Sequence, residues 1–329
     1  MWSFVRFGCS ASFARHLSGL LTGNSNSGDG FDMNFFLMRL PLFGLVSIIV
    51  LLMVSACGGS DTPVLRVGGI PDQDASRLAR RYDGFAAHLS QKLGVDVKYV
   101  PSSDYAAVVT AFTQGNLDLA FFGGLTGVQA RILDPGAQAL AQRENDAEFH
   151  SKFIVRNDLS ATSLSGLIDM AEDLTLTFGS ESSTSGHLMP RHFLELAGLD
   201  PDASFKCPPN YSGSHDLTWR LVESGAFDVG ALSEAVWDRA VANGMVDADK
   251  VRVLETSPAY YDYNWTAVSD MDEKFGDGFS QKIQKSLLEL NPEENQEILS
   301  LFSTNRFIVT ENSNYQTIES IARDLGIIK

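Results

Sequence analysis

Cysteine is scarce in this sequence, and the few cysteines are badly placed for pairing. The chain has 329 residues and 3 cysteines. Cys9 and Cys57 lie within or at the end of the N-terminal region, so only Cys207 remains in the rest of the chain. A lone cysteine cannot form an internal disulfide, and no paired spacing typical of a zinc site occurs. We therefore predict that Cys207 packs in the fold, and that the protein uses no metal.

Positive charge is also in short supply. Lys and Arg total 25 against 41 Asp and Glu, which gives a formal net charge of −16. Nucleic acids and anionic membrane surfaces both require a basic face, so we expect neither as a partner. A small anion held by backbone dipoles in a closed cleft is still compatible with this composition.

The common catalytic motifs are missing as well. No GxxxxGK[ST] or HExxH motif occurs, and the serine-rich window from Gly179 to Gly186 lacks the G-x-S-x-G spacing of a nucleophile elbow. Ser, His and Asp are all present, so a hydrolase has to be considered, but nothing places them in a triad. We predict a protein that is not an enzyme and needs no cofactor.

One long apolar run is present, and it lies near the N-terminus. Residues 39–57 read RLPLFGLVSIIVLLMVSAC, in which a positive residue, an apolar stretch and a small residue precede Cys57. This pattern is typical of a secretory signal. Val54-Ser55-Ala56-Cys57 resembles a bacterial lipobox, which favours a lipoprotein over the alternative of a plain transmembrane anchor.

The N-terminal pattern divides the chain as follows. We expect residues 1–56 to form a leader, in which 33–56 are the lipoprotein signal peptide and 1–32 reflect a start codon chosen too far upstream. Residues 57–63 form a tether, with Cys57 as the lipidated first residue. We expect an exported lipoprotein, anchored in a membrane and facing the periplasm or outer surface.

The most informative stretch is LTFGSESSTSGHLMP, residues 176–190. A short apolar strand ends at Gly179, five hydroxyl residues follow within six positions, and helical spacing begins near Gly186. The first N–H groups of a helix have no internal partner and carry positive partial charge. Added hydroxyls make a pocket of uncharged donors suited to an oxyanion. The alternative is an ordinary N-cap, which needs only one hydroxyl.

Beyond the tether, apolar strands alternate with amphipathic helices. The first strand covers 64–70, and a helix over about 78–93 stops at Gly94. Such alternation predicts parallel sheets with helices on their faces, and it restarts near residue 164. We predict two α/β lobes, 64–155 with 258–329 and 156–257, whose loops after residues 70, 122, 179 and 232 surround one cleft.

Several segments together resemble a known family. They are GIPDQDASRLARRYDGFAAHLSQKLG, PSSDYAAVVTAFTQGNLDLAFFGG, FGSESSTSG, YSGSHD and SPAYYDYNWTA. Their order and spacing are similar to those of solute-binding proteins of bacterial ABC importers for phosphate, phosphite and phosphonate, with the greatest likeness to the selenate-binding branch. The resemblance implies a type II periplasmic binding protein fold: two lobes, each a mostly parallel sheet flanked by helices, joined by two crossing strands that act as a hinge.

The resemblance also implies ligand-binding residues. Ser183, Thr184 and Ser185 match the family's hydroxyl triplet at a helix start. Tyr105 and His215 match a tyrosine and a histidine that contact the ligand. The remaining matches are Phe122, which stands where many members have tyrosine and so lacks that hydroxyl, and Asp262 and Glu234, which lie near acidic residues of aminophosphonate binders.

Some of these residues have structural alternatives. Tyr105 is equally compatible with a core aromatic, His215 with a helix cap, and Asp262 with a turn. A carboxylate beside a dianion repels it unless one of them carries a proton, so Asp262 in the cleft would select a protonated anion or an amine. The acids of the PDQD loop, residues 71–74, are more simply a helix cap.

The function implied is capture of a small tetrahedral oxyanion of the phosphonate, phosphite, phosphate or selenate class. Implied partners are an ABC permease and ATPase and a membrane reached through the lipid anchor, and we expect a monomer. A sensor or assembly lipoprotein with the same fold is the alternative, and an enzyme on that fold is a weaker one.

Overall fold

The structure, a computed structural model, describes residues 63–329. The predicted leader, the lipobox and Cys57 lie outside that part of the chain. Within it, eleven strands form two sheets. The strands are β1 (Leu65–Gly69), β2 (Val97–Tyr99), β3 (Leu119–Phe122), β4 (Gln138–Arg143), β5 (Ser151–Arg156), β6 (Leu176–Phe178), β7 (Asn210–Tyr211), β8 (Val229–Ser233), β9 (Val251–Thr256), β10 (Asn264–Ala267) and β11 (Phe307–Val309).

Helices cover the faces of both sheets. The α-helices are α1 (Ala75–Leu93), α2 (Tyr105–Thr113), α3 (Gly124–Leu133), α4 (Met189–Leu196), α5 (His215–Glu223), α6 (Glu234–Ala242), α7 (Met271–Phe275), α8 (Phe279–Leu288), α9 (Pro292–Phe302) and α10 (Gln316–Asp324). Short 3₁₀ helices cover Glu144–Glu148, Ser165–Asp173 and Asn312–Tyr315, and a π-helical turn covers Thr184–Leu188. No described helix is both long and apolar enough to span a bilayer.

The first lobe contains a sheet in the order β11-β4-β10-β3-β1-β2. Strands β2, β1 and β3 pair in parallel, whereas β10 runs antiparallel to both β3 and β4. Its core holds Trp265, which stacks on Phe85 with ring centroids 4.4 Å apart. The sheet is therefore mixed, because β10 enters it from the returning chain and runs against β3.

The second lobe contains a sheet in the order β7-β6-β8-β5-β9. Strands β7, β6 and β8 are parallel, while β5 and its two neighbours β8 and β9 are antiparallel. Strand β5 pairs in this sheet along residues 151–156. Phe149 and Tyr260 exchange two backbone hydrogen bonds, 2.9 and 3.0 Å long, where the two crossing segments lie side by side. The two-lobed α/β fold is confirmed, and the lobe boundaries stay a prediction.

Residues at the two ends of helix α1 explain where this helix begins and ends. The Asp74 side chain accepts hydrogen bonds from the backbone N–H groups of Ser76 and Arg77 at the start of α1. Gly94 ends the helix in the left-handed region, with φ of 71°. Both features agree with the sequence-based expectation of a capped helix that stops at Gly94.

Cys207 does not pack in the fold as expected. Its side chain is exposed, because it lies in the irregular segment between α4 and β7, where consecutive turns keep the chain at the surface.

Candidate anion-binding site

The hydroxyl triplet lies at the start of a helix, as predicted, but the first turn has an unusual geometry. Ser183 caps a π-helical turn over Thr184–Leu188, which continues directly into α4. The Ser183 Oγ accepts the Gly186 N–H at 3.0 Å. The backbone N–H groups of Thr184 and Ser185 precede the first intrahelical bonds and have no partner within the turn. Ser183, Thr184 and Ser185 are all buried, at 2% exposure or less.

A second helix start, from the first lobe, faces this turn. The N–H of Leu125 in α3 donates to Thr184 Oγ1 at 2.9 Å, and the N–H of Gly124 donates to Asp262 Oδ1 at 2.9 Å. A Cβ on Gly123 would stand 3.1 Å from Thr184 Oγ1 and 3.3 Å from Asp262 Oδ1. The absence of a side chain at Gly123 thus lets the backbone approach these two side chains closely, and a Cβ there would have to displace one of them by a few tenths of an ångström. The Leu125–Thr184 bond joins the two lobes directly.

Asp262 is buried within this junction, so it does more than stabilise an exposed turn. Its Oδ2 has no hydrogen-bond partner among the described residues. Burial raises the pKa of Asp262 to about 7, and the nearby Asp146 carboxylate adds to the rise, although the Gly124 N–H opposes it. The carboxyl group is therefore divided between its neutral and charged forms near neutral pH.

His215 begins α5 and connects both lobes through its backbone and ring. Its N–H donates to the Asp72 carbonyl at 3.3 Å. Its Nδ1 accepts the Ser233 N–H at 3.3 Å, so Nε2 carries the proton and points to the Tyr263 hydroxyl 3.3 Å away. Burial lowers the pKa of His215 to about 4, so the ring is a neutral donor at pH 7. Ser214, not His215, supplies the cap of α5.

Tyr105 is the first residue of α2 and is 1% exposed. Its hydroxyl is buried without a hydrogen-bond partner. Burial raises its pKa well above the ordinary value, and the carboxylates of Asp72 and Asp262 add to this effect. The phenol of Tyr105 is therefore neutral, its hydroxyl is an unused donor, and it lies close enough to Asp72 and Asp262 for their charges to affect its pKa.

Phe122 and Glu234 occupy different surroundings. Phe122 is fully buried in the core of the first lobe and packs edge-on against Phe112, with ring centroids 5.3 Å apart. Glu234 begins α6, and its carboxylate lies 3.3 Å from the Lys152 ammonium, with 23% of the side chain exposed. No hydrogen bond connects either side chain to the cluster around Asp262.

Sequence reasoning missed Asp72. Asp74 does cap α1, but Asp72 is buried and forms an ion pair with Arg81, Oδ1 to Nη1, at 3.2 Å. Burial alone would raise the pKa of Asp72, but Arg81 and the His215 side chain outweigh it, so this pKa lies below its ordinary value. The nine-residue spacing between Asp72 in the loop and Arg81 in α1 carries no recognised sequence signal. Of the two consecutive arginines, Arg80 is exposed and Arg81 is buried.

The buried charges near the junction largely neutralise one another. Arg81 is paired with Asp72, and Arg143 holds Asp146 with both guanidinium branches, Nε to Oδ2 at 2.7 Å and Nη2 to Oδ1 at 2.6 Å. A third cation lies close to these pairs: burial lowers the pKa of Arg239 on α6, and the Asp72 and Asp216 carboxylates oppose that shift. Backbone N–H groups and hydroxyls are the uncharged donors of the junction. Among residues 63–329, no cluster of three or more His, Cys, Asp or Glu side chains is arranged to hold a metal ion.

Known proteins resemble this chain over most of its length. Residues 67–315 match the family described as "ABC transporter, phosphonate, periplasmic substrate-binding protein". A probable phosphite-binding protein of an ABC transporter, PhnD1 of Prochlorococcus marinus, is 39% identical over 297 residues, which cover 89% of this chain and all of the relative.

Two solved structures extend the comparison. PhnD1 of Prochlorococcus marinus in complex with methylphosphonate is 42% identical, with a TM-score of 0.78 over 82% of this chain and all of that one. A binding-protein component of a Pseudomonas aeruginosa ABC phosphonate transporter shares the fold at 21% identity and a TM-score of 0.70, over 79% of this chain and 86% of that one. This chain therefore belongs to the phosphonate family of periplasmic substrate-binding proteins of ABC transporters, which are binding components and not enzymes.

Proposed function

We propose that this chain captures a small phosphonate- or phosphite-type oxyanion in the cleft between its lobes. The observation that carries the proposal is the meeting of two helix starts, the hydroxyl turn at 183–185 and the start of α3, around the single carboxyl of Asp262. Charge-assisted hydrogen bonds to uncharged donors hold an anion without burying an additional cation. That a related protein is solved with methylphosphonate supports this ligand class.

In this proposal the anion's oxygens accept hydrogen bonds from the N–H groups of 184 and 185 and from the hydroxyls of Ser183, Thr184 and Ser185. Tyr105 adds a neutral hydroxyl donor from the first lobe. His215 adds its Nε2–H from the second lobe, in exchange for its contact with the Tyr263 hydroxyl. Closure of the lobes removes water and strengthens each of these bonds. We give Phe122 and Glu234 supporting roles only, as an apolar wall and a rim carboxylate.

Asp262 sets the protonation state of the ligand. When Asp262 is neutral, its carboxyl group donates a hydrogen bond to a dianionic ligand. When Asp262 is charged, its carboxylate accepts a hydrogen bond from the proton of a monoanionic ligand. In both cases one proton is shared between Asp262 and the ligand. Phosphite, phosphate and alkylphosphonates carry such a proton near neutral pH, whereas a fully deprotonated selenate does not. We therefore place the protonatable phosphorus oxyanions ahead of selenate.

Titration calorimetry of the full chain with methylphosphonate, phosphite, phosphate and selenate tests the ligand class. Ser183→Ala is expected to weaken binding of the best anion by about 1–3 kcal/mol, the usual scale for losing a charge-assisted partner. The matched control is Ser182→Ala, one residue outside the triplet and half-buried. An unchanged affinity in Ser183→Ala would remove the triplet from the site.

We also propose the cellular context: a lipid anchor at Cys57, export to the periplasm or outer surface, and delivery of the anion by a monomer to a membrane permease with its ATPase. Cys57→Ser is expected to move the protein from the membrane pellet to the soluble fraction, because a lipidated cysteine is the proposed anchor. A variant that still sediments with membranes would contradict the anchor without affecting the ligand proposal.

A further inference from the structure

The hydroxyl turn depends on a backbone conformation that helix propensity alone does not favour. Leu188 N–H donates to the Ser183 carbonyl at 3.0 Å, an i to i+5 bond. Isolated π turns of this kind are rare and poorly favoured, and they persist where surrounding contacts hold them. Side chains from neighbouring elements therefore have to hold this turn.

His187, inside the turn, has hydrogen-bond partners at both ring nitrogens and is 5% exposed. Its Nδ1 lies 2.7 Å from the Glu181 carbonyl oxygen, and its Nε2 lies 3.1 Å from Arg191 Nε. Because the Arg191 Nε always carries hydrogen, Nε2 is the acceptor and Nδ1–H donates to Glu181. Burial lowers the pKa of His187 to about 4, so this neutral tautomer persists at pH 7. The bond from residue 187 to residue 181 closes a loop that contains the whole hydroxyl triplet.

The far side of the imidazole is held by neighbouring elements. The Tyr211 hydroxyl, from β7, lies 3.2 Å from His187 Nε2 and also accepts from Arg191 Nη2 at 3.3 Å. Arg191 is fixed in turn by Asp202 through Nη1 at 2.8 Å and Nη2 at 3.3 Å. The Phe178 ring, at the end of β6, lies 5.0 Å from the imidazole. The turn is thereby connected to the edge of the second sheet.

We propose that His187 is a positioning residue for anion binding: with Arg191 and Tyr211 it holds the 183–185 backbone in the conformation that presents its donors, without touching the ligand. This inference rests on the proposed function, because it assigns His187 a role in the site formed by Ser183–Ser185. In this inference the partly exposed Arg191–Asp202 salt bridge keeps Arg191 in place, and Arg191 in turn fixes the tautomer of His187.

The test separates positioning from simple stabilisation. Methylphosphonate is titrated calorimetrically into the full chain and into His187→Leu, His187→Asn, Ser183→Ala and the control His192→Asn, which alters a histidine outside this network. The unfolding midpoint of each ligand-free variant is measured in parallel. Leucine keeps bulk but no hydrogen bond, whereas the asparagine amide can replace the Nδ1–H that donates to Glu181.

We expect His187→Leu to raise Kd about tenfold or more, since displacing a binding group by roughly 1 Å has effects of this order. His187→Asn should restore most of the affinity, with Kd within about threefold of the parent, and His192→Asn should bind like the parent. If Ser183→Ala loses affinity but His187→Leu binds with the parental Kd, the positioning role of His187 is overturned, whatever the unfolding midpoint of His187→Leu. If both variants bind like the parent, the triplet itself does not hold the anion and the proposed site fails as well.

Should His187→Leu fail to fold, Tyr211→Phe decides. It removes only the hydroxyl beside Nε2, and we expect Kd to rise about threefold, the scale of one neutral hydrogen bond. An unchanged Kd in that variant overturns the proposal.

Discussion

The two helix starts that meet in the cleft are built in opposite ways. The start of α3 consists of Gly123 and Gly124, and its donors are already used by Asp262 and Thr184, at 2.9 Å each. The turn at 183–185 carries hydroxyls of its own, and its first N–H groups are unused by the helix. A helix start that is already occupied by a carboxylate serves to fix that carboxylate, and only the unoccupied one is available to a ligand.

The largest effect should come from disturbing the unoccupied start. A Cβ on Gly186 would lie 2.9 Å from Ser183 Oγ, 3.0 Å from His215 Cε1 and 3.2 Å from the Cα of Gly179. Gly186→Ala therefore has to displace backbone or a buried ring, at about 1–3 kcal/mol of unfolding free energy, and we expect affinity for methylphosphonate to fall more than tenfold. Chemical denaturation and calorimetry measure the two effects.

The control for this variant is Gly84→Ala, at a helical position with no atom within 4 Å of the added carbon. Alanine should stabilise that helix by about 0.5–1 kcal/mol and leave binding unchanged. If Gly186→Ala behaves like Gly84→Ala, the close packing of the turn is unimportant to the site.

The occupied start should respond to pH through Asp262. Its pKa in the fold is raised by burial to about 7, so the neutral form is favoured by folding. The neutral Asp262 carboxyl therefore contributes fully to the free energy of unfolding at pH values below the ordinary pKa of an aspartate. This contribution is lost as pH rises through about 7, and between the ordinary pKa and about 7 the loss is at most about 1.4 kcal/mol per pH unit.

We expect the difference in unfolding free energy between the parent and Asp262→Asn to change across this window and to level off above it. Taking the difference removes the opposite slope of His215 and His187, whose pKa values are lowered to about 4 by burial. Parallel pH profiles for the two proteins would mean that Asp262 does not titrate as described.

The smallest effect should come from an exposed contact at the cleft edge. The Asp216 carboxylate accepts the Asp74 N–H across the lobes at 3.0 Å. Asp216→Ala should raise Kd by about two- to fivefold, since exposed polar contacts contribute 1 kcal/mol or less. Calorimetry at two salt concentrations measures it, and a loss as large as that of Gly186→Ala would mean that closure, not the hydroxyl turn, dominates affinity.

Local signals in the sequence were sufficient for much of this fold. Strand–helix alternation, the Asp74 cap, the Gly94 stop and the hydroxyls after β6 all act within a few residues of one another, so a single sequence contains them. The directions of individual strands were not predicted, because the direction of β10 and β5 depends on how the chain crosses between lobes.

The site was only partly predictable for the same reason. The triplet was found, but its partners are distant along the chain: Leu125 bonds Thr184 across 59 residues, and Gly124 bonds Asp262 across 138. The burial of Asp72 against Arg81 and the π geometry at 184–188 follow from tertiary packing, which no local pattern encodes.

A crystal structure of the full chain with methylphosphonate tests the central claim most directly. We predict phosphonate oxygens within hydrogen-bond distance of the Thr184 and Ser185 N–H groups and of the triplet's hydroxyls, with no arginine or lysine in contact with them. A phosphonate bound to a guanidinium or ammonium group, with residues 183–185 out of reach, would contradict the account.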